Sequence, residues 1–103
     1  MPLYGITAIH TDATGMHIER VRWAPIDGSR NAWLGPVEES EAHAVADALA
    51  GGDTVYAIFT TDGGLTIPGV RARYIELPGG REGIGSVDPE LHPRRTLLDL
   101  PRF

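Results

Sequence analysis

The apolar positions of this chain form five periodic stretches separated by breaks rich in Gly, Pro and Asp, and four of the five read as β-strands. Leu3 to Thr11 sets Tyr4, Ile6 and Ala8 against Thr7, with Ile9 breaking the alternation. Asp12-Ala13-Thr14-Gly15 has the composition of a short hairpin loop closed by a left-handed glycine, so Met16 to Ala24 is expected to return antiparallel. In that return Ile18 is out of phase with Val21 and Trp23. One extra residue near Glu19-Arg20, a β-bulge, would bring all three to one face. Pro25 and Asp27-Gly28 end the strand, and Ser29 to Pro36 reads as loop with a short edge strand at Ala32 to Leu34.

The period then changes. Ala42, Val45, Ala46 and Leu49 fall at i, i+3, i+4 and i+7, the narrow stripe of a helix packed closely on a sheet. The segment Glu38 to Ala50 is expected to be helical, with Glu38 at the cap and Val37 stapled against Ala42. Glu39 and Glu41 would complement the helix dipole, and Gly51 or Gly52 supplies the left-handed stop. Thr54 to Thr61 is apolar on both faces and reads as the most buried strand. Asp62-Gly63-Gly64 turns the chain into Leu65 to Leu77, where Val70, Ala72 and Tyr74 alternate with Arg71 and Arg73, and Pro68-Gly69 implies an edge position or a kink. Gly79 to Phe103 loses periodicity and reads as an irregular tail. Its Leu97, Leu98, Leu100 and Phe103 are too apolar to leave in water, so the tail is expected to pack back on the sheet. The fold class expected is α+β: an antiparallel sheet of about four strands in the order ββαββ, one helix on one face, and that tail, all in one domain spanning 1–103.

A chain of 103 residues with 42% hydrophobic and 22% charged positions can bury a core without staples. The absence of cysteine excludes disulfides, thiolate catalysis, iron–sulfur clusters and Cys-containing zinc sites. No apolar run is long enough to span a bilayer, and a basic-then-apolar leader is missing, so a soluble cytoplasmic protein without membrane contact is expected. All nine basic residues are arginine. Three lie in residues 1–70 against nine acids, and six in residues 71–103 against five. A net charge of −5 disfavours general attraction to nucleic acid.

The terminal run Leu97-Leu98-Asp99-Leu100-Pro101-Arg102-Phe103 resembles the closing motif of a small bacterial family, domain of unknown function 3892. The Ile-rich first strand, a strand ending near Trp23, Asp27-Gly28, the short Ala-rich helix and Arg73 to Ile75 follow a similar order. Thr96 and Leu97 stand where that family tends to have asparagines. The resemblance implies no activity and no site residue.

Candidate chemistry is sparse. His10, Asp12 and His17 flank one hairpin loop, and two imidazoles with a carboxylate can make an open metal site, although pairing around the loop can also separate them. Glu39, His43 and Asp47 recur every four residues, the start of a general-base arrangement or an ordinary charged helix stripe. The glycines of Gly79 to Gly85 lack the Lys-Ser/Thr ending of a phosphate loop and read as a turn and connection. Arg71 and Arg73 with Tyr74, and the tail residues Arg81, Arg94 and Arg95, could present a patch to an anionic partner. Trp33 either anchors a partner or caps the core beside Trp23. No catalytic set and no cofactor motif emerge. The function expected is a small non-enzymatic protein-interaction module, as a homodimer or with another protein. The alternative is a metal-assisted or general-base hydrolase using the His/Asp groups.

Overall fold

The computed structural model describes residues 3–15, 17–27, 32–60, 66–77, 79–87 and 96–103. The Asp62-Gly63-Gly64 turn, Gly28, Arg94 and Arg95 lie outside these. The α+β class holds, with one α-helix among the described residues. The sheet, however, is larger than four strands and is mixed.

Strands β1 (Leu3–Thr11) and β2 (Ile18–Asp27) form the expected hairpin. Two short strands, β3 (Ala32–Trp33) and β4 (Glu38–Glu41), both pair antiparallel with β2. Helix α1 (Ala42–Ala50) leads to β5 (Thr54–Thr60), which pairs parallel with β1 through Leu3–Ile6. β6 (Thr66–Leu77) and β7 (Arg81–Ser86) complete an antiparallel meander. Six strands thus lie side by side in the order β3-β2-β1-β5-β6-β7, with β4 also on β2.

Two register slips explain the irregular hydrophobic pattern. Thr11 faces Ile18 while His10 faces Arg20, so Glu19 is the extra residue of the expected bulge, and Ile18 and Val21 are both in the core. A second slip leaves Thr7 unpaired between Ile6 and Ala8. It moves Ile9, rather than Ala8, to the side of Ile6, which is why Ile9 broke the alternation. A third slip, between Arg71 and Pro68, is the kink signalled by Pro68-Gly69; β6 is paired on both sides and is not an edge. Bulges increase local twist, and the sheet curves enough that β2 and β7 touch although four positions apart in the order.

The helix begins at Ala42, four residues later than its sequence implies. Glu38–Glu41 is strand instead, paired with Arg20 through Trp23. The outer edge of β2 offers backbone partners there, and Arg20 reaches Glu39 at 3.3 Å and Glu41 at 3.8 Å. Those pairs satisfy groups that an extra helical turn would leave on the sheet edge. The expected stop is present: Gly52 has φ +96°, Gly52 N–H donates to Leu49 and Asp53 N–H to Ala48, the two bonds of a Schellman motif. Ala42, Val45 and Ala46 are buried against the sheet.

The tail is less irregular than expected. Arg81–Ser86 is a full strand, and Gly79 and Gly80, with φ +85° and +76°, turn the chain into it. A Cβ at Gly83 would lie 2.7 Å from Leu77, so the bare glycine makes room for that side chain. Leu97, which opens the short 3₁₀ helix Leu97–Asp99, and Leu100 just after it are buried in the core as expected, whereas Leu98 stays exposed. Beyond them Ile9 N–H donates to Pro101 and Phe103 N–H to Ile9, which joins the last residues to β1.

The face of the sheet away from α1 carries a smaller apolar contact. Gly5 sits under Ile26, Ile58 and Trp33, and an added Cβ would fall 2.5 Å from Ile26 Cδ1 and 2.6 Å from Ile58 Cγ1. Gly5→Ala is therefore expected to cost about 1–3 kcal/mol in urea unfolding through overpacking. A change below about 0.3 kcal/mol would show that these neighbours yield freely.

Candidate functional site

Two concavities lie at opposite ends of β2. The first, a cleft of about 470 Å³, opens where the curved sheet brings the start of β2 toward the β6–β7 turn. His17, Ile18 and Glu19 line one wall, Ala42 and His43 of α1 a second, and Leu77, Arg81 and Glu82 the third.

The loop before β2 builds one corner. Thr14 donates to Asp12 Oδ1 from its backbone N–H at 3.1 Å and from its hydroxyl at 2.6 Å, while Gly15, φ +73°, donates to the Asp12 carbonyl. His17 Nδ1 lies 3.0 Å from Asp12 Oδ2. An ionised carboxylate only accepts, so Nδ1 carries the proton and Nε2 of the neutral ring is left as the basic atom. The Thr14 hydroxyl first, and then His17, hold the Asp12 carboxyl down at about 2 despite some desolvation. His43 is oriented in the same way by Glu41 Oε2 at 3.0 Å. On the third wall, Glu82 is bonded to Asp47 of α1. That hydrogen bond and the neighbouring charge raise its pKa, with burial adding to the rise and His43 opposing it.

His10 does not join this group. It points to the other face of the sheet, where Nδ1–H donates to the Phe103 main-chain oxygen at 2.6 Å and the two rings lie 6.0 Å apart. The bulge at Glu19 separates it from His17, so the loop unites only Asp12 and His17 of the three. Among the described residues no three His, Asp or Glu side chains are arranged to hold a metal ion. The stripe of Glu39, His43 and Asp47 is likewise divided, because Glu39 belongs to β4 and pairs with Arg20. Sequence reasoning missed Glu82, which lay in the segment read as a connection; glycine at alternate positions 83 and 85 was the available sign of a tightly packed strand.

The second concavity, about 340 Å³, is a groove at the far end of β2. Tyr4 and Trp23 stack with centroids 4.6 Å apart and planes 28° from parallel. Pro25, Pro36 and Glu38 complete the groove lining with Ala24 and Gly35. Around this end Leu34 is 65% exposed, Val37 46% and Trp33 38%. Trp33 therefore covers Gly5 with part of its ring and shows the rest to solvent. Arg71 pairs with Tyr56 on the face that α1 leaves uncovered, and alternation puts Arg73 there too. Tyr74 projects to the opposite face, 45% exposed, so Trp33, Arg71, Arg73 and Tyr74 do not form one patch.

No protein-family model, curated protein or solved structure matches this chain. None of the described helices is long and apolar enough to cross a membrane.

The two shifted carboxyls give opposite pH signatures. A depressed pKa means that Asp12 contributes stability fully above its ordinary value near 3.8, and that this is lost as pH falls toward 2. Asp12→Asn should therefore show a smaller drop in denaturation midpoint than wild type between pH 5 and pH 2; equal drops would refute the assignment. The raised Glu82 opposes folding once pH exceeds its ordinary range, so Glu82→Gln should raise Tm at pH 7 and change it little at pH 4. A lower Tm at pH 7 would mean that the Asp47 contact stabilises in its ionised form.

Proposed function

We propose that the protein is a small non-enzymatic interaction module that binds another polypeptide at the groove end of β2. The observation that carries this reading is the exposure of Leu34 and Val37, which flank the Gly35 and Pro36 that help line an aromatic and proline-containing groove, with the half-exposed Trp33 beside them on the reverse face. Scattered exposed leucines are ordinary on a protein surface, whereas large apolar groups gathered at a concavity mark a contact site. Among the described residues, one helix covers one face of the sheet and no second layer covers the other. A second copy of the chain can occupy the same surface, and a homodimer is one form of the proposal. The packing of Leu97 and Leu100 in the core supports a structural role for the terminal run that resembles the closing motif of domain of unknown function 3892.

A second reading, general-base hydrolysis in the first cleft, is favoured by one observation. His17 and His43 are each held through Nδ1 by a carboxylate and share one cavity. Among the described residues that cavity offers no serine, threonine or cysteine nucleophile in its lining, so any attack would fall to an activated water.

Selection of a random peptide display library on the immobilised protein separates the two readings. A convergent motif is expected, with binding reduced at least about tenfold by the double substitution Leu34→Asp and Val37→Asp. Absence of any convergent motif, together with a protein that sediments as a monomer at high concentration, would overturn the interaction reading.

A further inference from the structure

We propose that the groove formed by Tyr4, Trp23, Pro25 and Pro36 takes an extended, proline-containing peptide segment that carries a basic residue beside Glu38. This rests on the interaction reading above and specifies its ligand.

Three independent features of the groove select that chemistry. The first is shape. The stacked Tyr4 and Trp23 rings share the groove lining with two prolines, and such aromatic-lined grooves accommodate pyrrolidine rings of a polyproline II segment. That segment is already extended when free and loses little entropy on docking, while Pro25 and Pro36 hold their side of the groove.

The second is hydrogen bonding. A polyproline II chain has no internal hydrogen bonds, so its carbonyls need donors from whatever binds it. The Tyr4 hydroxyl and the Trp23 indole N–H have no partner among the described residues, and neither residue is fully buried. Both side chains line the groove and can donate to ligand carbonyls. Tyrosine and tryptophan serve well in this role because each combines an apolar ring with one polar atom.

The third is charge. Among the described residues Glu38 is the one charged residue in the groove lining and has no ion-pair partner, whereas its neighbours Glu39 and Glu41 are engaged by Arg20. The surrounding part of the chain adds to this bias, with nine acids against three arginines in residues 1–70. An Arg or Lys on the ligand meets this carboxylate, and an acidic residue at that place is repelled.

The test is an NMR titration of the full chain, following the indole N–H resonance of Trp23. Three synthetic decapeptides are compared: one with a proline-rich core and a flanking Arg, one with that Arg replaced by Glu, and one with the prolines replaced by Ala. The proline and Arg peptide should shift the Trp23 indole resonance in a saturable way. Exchange of its Arg for Glu should weaken binding up to about fivefold, the scale of an exposed ion pair. Loss of the prolines should weaken it by at least about as much. Glu38→Arg, an exposed substitution that leaves the rings intact, should invert the preference between the Arg and Glu peptides.

An unmoved Trp23 indole resonance, an equal response to the proline and alanine peptides, or an unchanged preference in Glu38→Arg overturns the proposal. A library motif that needs Leu34 and Val37 but contains neither proline nor a basic residue would also overturn it, while leaving the interaction reading standing.

Discussion

The backbone pairing of β1 is the interaction on which the remaining structure depends. One edge is occupied by β2, and the other is divided between β5 along Leu3–Ile6 and the terminal segment at Ile9. Because β5 runs parallel to β1, the chain must cross over between them, and α1 makes that crossing while covering the inner face. Ile6 and Ile9 are fully buried beneath it, held on one side by the unpaired Thr7. Loss of that single extra residue would send Ile9 to the wrong face.

The same irregularities place the two concavities. Curvature brings the beginning of β2 against β7 and closes the acid and imidazole cleft, while the distal end of β2 stays open between β3 and β4. Each end of one strand thus receives a different chemistry. At the first, carboxylates orient imidazoles and press against one another. At the second, aromatic rings and prolines provide an apolar wall with one carboxylate. The short strand β4 runs between them, from Glu38 at the groove to Glu41 beside His43.

Much of the local structure was legible because local rules governed it. The phase error of Ile18 located the bulge at Glu19, the glycine pair ended the helix, and Trp33 fell on a short edge strand. What escaped depended on distant partners. Glu38–Glu41 has no particular strand propensity, and only the free edge of β2 and the guanidinium of Arg20 make it a strand. The parallel alignment of β1 with β5 leaves no mark in either segment's period. Strand β7 was hidden because its glycines signal looseness in isolation, whereas packed under Leu77 and Ile75 they signal the reverse. The cleft was half visible: Asp12 and His17 are local to one loop, while Glu82 reaches it from 65 residues further along the chain than His17.

The placement of the two tryptophans gives the molecule a pair of native optical probes. Trp23, stacked on Tyr4 above the groove, senses the side that α1 covers, and Trp33, resting on Gly5, senses the reverse side. Ring stacking couples the first to a neighbouring chromophore, whereas the second lies against aliphatic groups and solvent. Emission and near-ultraviolet dichroism therefore report the two faces of one sheet separately, without any label attached to the chain.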